Sequence, residues 1–163
     1  MATTANGYVA SQDDETPWSD EEWESYHNIV KKVGNIIIGR RTYEMMLDGE
    51  EFSKIGNPVV ATVTSDIRLK NNSQFHFVKN PREALETLEN LGFNEAIVGG
   101  GGHLNASFMK QGLVDEIYLD VEPIIFGKGI PLFMPEDFEY KLQLLETKQL
   151  NSNTLQLHYS VLK

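Results

Sequence analysis

The feature that most restricts the fold is a regular alternation of short apolar runs with segments of helical period. The runs NIIIG (35–39), PVVATVT (58–64), QFHFVK (74–79), EAIV (95–98) and EIYLDVEPI (116–124) have the length and composition of strands. Helical candidates stand between them. In WSDEEWESYHNIVKKVG, Ser19 is placed to cap a helix with Glu22 three residues on, and Trp23, Tyr26 and Val30 recur at helical spacing before Gly34. PREALETLENLG starts at Pro81 and stops at Gly92, and HLNASFMKQG stops at Gly112. Such alternation predicts an α/β fold with a mostly parallel central sheet and helices on both faces. The last third changes period. KLQLLETKQL and TLQLHYSVL alternate apolar and polar residues around Asn151, Ser152 and Asn153, the pattern of a C-terminal antiparallel hairpin.

At 163 residues the chain suits one domain. Asp and Glu outnumber Lys and Arg by 24 to 14, a formal charge of −10, which argues against nucleic acid as a partner. No apolar run is long enough to cross a bilayer, so no membrane partner is expected. The first residues, MATTANGYVA, have neither a basic start nor a sustained apolar stretch, and the chain contains no cysteine. These features together point to the cytoplasm.

Three places invite a small anion within this acidic chain. Gly99, Gly100, Gly101 and Gly102 follow an apolar run and precede a helix, so backbone N–H groups there can face a pyrophosphate. The tract is not a Rossmann fingerprint, because the third glycine falls on Leu104, and it lacks the ending of a P-loop. A tight strand-to-helix turn explains it equally well. NIIIGRRTYEMM ends a strand at Gly39 and opens a helix with Arg40, Arg41 and Thr42. Cations oppose the dipole at a helix N-terminus, which suggests an anion that compensates, although two solvated arginines are the plainer alternative. Lys79 ends a strand just before a third helix and, taken alone, reads as a surface lysine.

In this order, TANGYVA, PW, IIIGRRTYE, VTSD, FVKNPREAL, IVGGGGHLNASFMKQGLVDEIYL and PIIFGKGIPLF resemble the dihydrofolate reductase superfamily. The likeness is strongest to the branch that includes the reductase domain of bacterial riboflavin-biosynthesis deaminase-reductases. It implies the three-layer fold of that superfamily and NADPH as cofactor. By the same resemblance, Gly39, Arg40, Arg41 and Thr42 meet the cofactor phosphates, Thr64 and Ser65 lie beside the adenosine, and Lys79 lies near the 2′-phosphate. Gly99 to Gly102 then let the pyrophosphate and nicotinamide approach a strand end. The family's first strand normally begins earlier, so either a shortened first strand is expected here or the given start omits a few residues.

Reduction of a pterin C=N bond needs a hydride from the cofactor and a proton delivered to nitrogen. Dihydrofolate reductases carry the responsible acid on their first helix, at the position where the resemblance places Trp23. Two replacements are candidates. Glu22 is one residue back, but Ser19 and Glu22 form a capping-box pattern that would turn its carboxylate toward the Ser19 backbone. Asp120 shares a strand face with Tyr118 and Glu122, at a position where the family commonly has threonine. It is expected to hold the substrate amide and relay the proton, with Trp23 as an apolar wall, the alternative being a solvated strand aspartate.

By position in the family, Tyr8, Trp18, Trp23, His27, Val98 and Leu104 are expected at the substrate, each with core packing as the alternative. Residues 10–18 correspond to an exposed flap. Lys54 is the nearest match to a cation for the glutamate tail of folate. The expected function is NADPH-dependent reduction of a pterin, dihydrofolate to tetrahydrofolate. Reduction of a ribosylaminopyrimidine in riboflavin synthesis and cofactor binding without catalysis are the alternatives, and no metal is expected. The apolar stretch PIIFGKGIPLF (123–133) would serve either a homodimer interface or the core.

Overall fold

In the computed structural model, which describes residues 1–66 and 68–163, the elements follow in the order that the alternation predicts. They are β1 (Ala2–Thr4), β2 (Tyr8–Ala10), α1 (Asp20–Val33), β3 (Asn35–Gly39), α2 (Arg40–Asp48), α3 (Glu51–Lys54), β4 (Val59–Val63) and β5 (Phe75–Val78). Then come α4 (Pro81–Asn90), β6 (Val98–Gly100), α5 (Gly102–Lys110), β7 (Glu116–Glu122), β8 (Ile130–Pro131), β9 (Lys141–Gln149) and β10 (Leu155–Leu162). The chain divides into two compact units: Tyr26–Leu104, and a second built from Met1–Ser25 with Asn105–Lys163.

The unit Tyr26–Leu104 holds a wholly parallel sheet in the order β5-β4-β3-β6. Ile36, Ile37, Ile38, Val60 and Ala61 are fully buried, which is why these runs are apolar at consecutive positions rather than alternating. Val30 of α1, Tyr43 and Met46 of α2, Phe52 and Ile55 complete the cluster with Ile36, Ile38 and Val60. Tyr43 sits edge-on to Phe75 and Phe77, at ring separations of 5.4 and 5.2 Å. One boundary departs from expectation. Residues 95–97 lie outside the strand, although the Asn35 side-chain amide donates to the Glu95 carbonyl at 2.8 Å and the Ile37 N–H to the Ile97 carbonyl at 2.7 Å. The strand starts at Val98 and runs on into the glycines.

The other unit carries a sheet in the order β1-β7-β10-β9, with β1 parallel to β7 and the other pairs antiparallel. The hairpin forms where its alternation predicts. Asn151 Oδ1 accepts from the backbone N–H groups of Asn153 and Thr154, closing the turn. β1 is three residues long. Residues 123–133 do not form core. None of them is buried, Ile125 is 74% exposed, and the segment folds back so that β8 pairs with β2. Among the described residues, no helix is long and apolar enough to cross a membrane.

Candidate functional site

The expected cofactor residues of the parallel unit all fall at one edge of its sheet. Parallel strands end on the same side, so Lys79 after β5, Thr64 and Ser65 after β4, Arg40 to Thr42 after β3, and Gly100 to Gly102 at the end of β6 form a row. An open cleft of about 320 Å³ at that edge is lined by Thr64, Ser65, Asp66, Leu69, Phe77, Val78 and Lys79. The position of Lys79 at a strand end therefore has company that the sequence alone does not supply.

Helix α2 starts at this edge without a side-chain cap on Gly39 and with no acidic residue in its first turn. Its first N–H groups therefore have no partner within the helix. The positive field is partly answered within the chain. Asp66 receives two side-chain hydrogen bonds from Arg68, at 2.9 and 2.6 Å, and lies 3.8 Å from Arg40. Arg40 also faces Glu44 at 3.7 Å. The Arg68 hydrogen bonds, reinforced by the charge of Arg40, hold the Asp66 carboxyl well below the usual carboxylate range. Asp66 belongs to the quoted VTSD stretch, but nothing in the sequence marks it as the hub of two guanidinium groups.

The four glycines differ in purpose. A Cβ on Gly99 would stand 2.5 Å from Ile36 Cδ1 and 3.1 Å from Ile38 Cγ2, so this glycine is required by the unit's own core. Gly100 has a positive φ of 92° and is joined to Gly101 by a cis peptide bond. A Cβ on Gly101 would meet only Thr42 Oγ1, at 3.9 Å. Packing within the unit therefore accounts for glycine at position 99, whereas at position 101 it leaves room beside the backbone.

The second unit brings acids together. Glu22, Asp120 and Glu122 are each only 3% exposed. Asp120 accepts a 2.8 Å hydrogen bond from Gln156, its cross-strand partner, whose Nε2 also donates to Ser25 Oγ at 3.3 Å. Burial is the main force raising the Asp120 carboxyl above its usual range. The alternative of a solvated aspartate is thereby excluded.

Glu22 departs further from its sequence pattern. Ser19 Oγ accepts from the Glu22 N–H at 3.3 Å, so half of the capping box forms. The other half does not, because the Ser19 N–H donates to Glu122 Oε1 at 3.2 Å. The Glu22 carboxyl is left buried, and its Oε2 has no partner among the described residues. Burial foremost pushes its pKa up to about 7; the Met1 ammonium opposes this, and the negative charges of Asp120 and Glu122 add to it. Glu122 was missed as a functional candidate, although it stands two residues from Asp120 on the same strand face.

The remaining candidates are placed as follows. Leu104 is 7% exposed and packs in the core, the alternative weighed for it. Lys54 is held by Glu51 at 2.6 Å, so its charge is already matched. Trp18 stacks on Phe126 at 6.3 Å, and the Tyr8 ring lies against the backbone of Gly129. Trp23, His27 and Val98 are half-buried, and burial lowers the His27 pKa. Of the expected flap, residues 11–18 lie outside helices and strands and are half-buried to exposed, whereas Ala10 is buried at the end of β2 and does not belong to it. No cluster of metal ligands occurs among the described residues.

Comparison with known families decides the relationship. The family model of the RibD C-terminal domain matches residues 1–156. The chain belongs to that family. Its relatives include the uncharacterized protein YwjB of Bacillus subtilis strain 168, 29% identical over 98% of this chain and 94% of its own. YyaP of the same organism is 23% identical over 98% of this chain and 91% of its own. Among solved structures, a Shewanella protein described as a putative riboflavin biosynthesis protein superposes with a TM-score of 0.79 at 21% identity, covering 100% of this chain and 97% of its own. A pyrimidine reductase-like protein from Corynebacterium diphtheriae gives 0.75 at 14% identity, over 99% and 90%. RibD of Acinetobacter baumannii gives 0.77 at 16% identity over 99% of this chain but 56% of its own. These likenesses establish the RibD-type reductase fold.

Proposed function

We propose that this chain is an NADPH-dependent reductase of a ribosylaminopyrimidine. The observation that carries the proposal is the row of backbone donors and cations along the carboxyl edge of the parallel sheet, in a chain of the RibD C-terminal family. The residues fit a dinucleotide phosphate. The uncapped start of α2 and the space over Gly101 suit the pyrophosphate, while Arg40, Arg41 and Lys79 with Thr64 and Ser65 suit the adenosine end. Bound NADPH supplies a hydride. For a ribosylamine the sugar C1′–O4′ bond opens to a C1′=N imine as the N–H proton moves to O4′. A hydride from NADPH held at these residues would then add to C1′ and a proton to nitrogen, which would leave a ribityl amine and NADP⁺.

The chain supplies the proton. A buried carboxyl pushed up to about 7 is protonated in a substantial fraction at neutral pH, and Glu22 with Asp120 beside it in the cluster forms such an acid. This shifts the substrate from the pterin expected from sequence to the pyrimidine of the alternative. The family supports the pyrimidine, and Lys54, needed for a folate tail, is engaged by Glu51.

Purified protein should consume NADPH with a 5-amino-6-ribosylaminopyrimidine, tested as the uracil and as its 2-amino counterpart, and not with dihydrofolate. Turnover of dihydrofolate alone reverses the assignment. Tight NADPH binding with no consumption of any of the three identifies a silent cofactor-binding protein instead.

A further inference from the structure

We propose that Glu122 is a positioning residue: by capturing both donors of Ser19, it keeps the Glu22 carboxyl out of the capping box and free to act as an acid. The inference rests on the reading of Glu22 as proton donor, but it makes a claim about the unliganded protein that stands apart from turnover.

A serine followed three residues later by glutamate normally closes a reciprocal pair, with the carboxylate returning to the serine N–H. A carboxylate so bonded is stabilised in its charged form and makes a poor acid. Here the return path is occupied. Glu122 Oε1 accepts from Ser19 N–H at 3.2 Å and from Ser19 Oγ–H at 2.7 Å, while Oε2 accepts from Thr154 Oγ1 at 3.2 Å. Glu122 thus joins β7, the start of α1 and the residue before β10, and acts only as an acceptor in every contact. Each of its partners needs an acceptor, so the side chain is held at two ends. Glu22, deprived of the N–H its position offers, keeps a buried oxygen unsatisfied, an arrangement that favours the protonated carboxyl or a donor brought by a ligand. The charged groups acting on Glu22 are Asp120 and Glu122 of β7 and the ammonium of Met1 beside β1.

Like-charge repulsion from Glu122 is a separate effect, and two substitutions part it from the clamp. Glu122→Gln removes the charge but keeps an oxygen that accepts from Ser19, whereas Glu122→Ala removes both. Carbon-detected NMR titration of the Glu22 carboxyl in ligand-free protein reads the result directly. In Glu122→Ala the Glu22 midpoint should fall by at least about one pH unit, a tenfold fall in the ratio of protonated to ionised carboxyl at a given pH. In Glu122→Gln most of the upward displacement should remain. Equal midpoints in the two variants, whether both displaced or both unchanged, overturn the clamp. Should Glu122→Ala fail to fold, a Glu22 midpoint in the ordinary carboxylate range in Glu122→Gln overturns it as well. The pH profile of kcat/KM should move with the titration. A titration that moves while the profile stays in place removes Glu22 from the chemistry and leaves the clamp standing.

Discussion

Gly99 lies so close to Ile36 that a single added methyl would stand 2.5 Å from its Cδ1. Ile36 is fully buried in β3, an inner strand of the parallel sheet. Gly101, two residues on, has open space around the same virtual methyl. Substitution of the two glycines should therefore fail in different ways. Gly99→Ala should destabilise the fold by about 1–3 kcal/mol, the usual cost of overpacking, seen as a lower urea midpoint. Gly101→Ala should keep the midpoint near that of the parent and weaken NADPH binding by about tenfold, about 1.4 kcal/mol, measured by fluorescence titration. Equal stability losses in both would show that the tract serves packing throughout.

The buried acids set a pH dependence of stability whose sign is fixed by the direction of their shifts. The folded pKa of Glu22 is raised from 4.5 to about 7, so between those values the native state holds the proton more tightly than the unfolded chain. Stability from this group is greatest below the unfolded value and falls as pH rises toward 7, by about 3 kcal/mol for a shift of that size. Asp120, also raised, adds in the same direction. Glu22→Gln should flatten this slope and be more stable than the parent at pH 8, which chemical denaturation at pH 5 and pH 8 will read. A parent chain that gains stability over that range speaks against a buried, protonated Glu22.

Catalysis should follow the same carboxyl. An acid must carry its proton to donate it, so kcat/KM should be level at low pH and fall as pH passes about 7. Glu22→Gln should lower kcat by about 100-fold or more, in keeping with the loss of a positioned acid, with NADPH affinity within about twofold. Asp120→Asn should likewise reduce turnover far more than cofactor affinity. Full activity in either variant assigns the proton to the other acid, or to solvent if both are active.

Asp66 holds Arg68 and faces Arg40 inside the cleft that Lys79 also lines. If the proposed NADPH places its 2′-phosphate in this cleft, a carboxylate there opposes it. Asp66→Asn should raise the ratio of NADPH to NADH affinity, and Lys79→Ala should lower it by about tenfold. Both ratios are accessible from paired binding titrations. Ratios unmoved by either change would place the 2′-phosphate elsewhere.

The elements were legible because each depends on neighbours along the chain. NIIIG and PVVATVT are apolar at consecutive positions because a parallel strand is covered on both sides, and the C-terminal hairpin alternates because it is not. Gly39, Arg40, Arg41, Thr42 and Lys79 could be placed at strand ends from the same pattern, and the resemblance joined them to one cofactor. The cluster of buried acids was only half legible. Period-two spacing put Asp120 and Glu122 on one face, but spacing says nothing of whether that face is dry.

What the amino-acid order determined by itself was the α/β alternation, the hairpin and the candidates at the strand ends, since all of these follow from local period and turn chemistry. Only the tertiary structure decided what each candidate touches. Ser19 and Glu22 spell a closed cap, yet Glu122, 103 residues away from Ser19, takes the hydrogen bond that would close it. Gly99 looks like its neighbours in the tract until Ile36 is found beneath it. Hydrogen-bond competition and close packing are settled between residues distant in sequence, and local pattern carries no record of them.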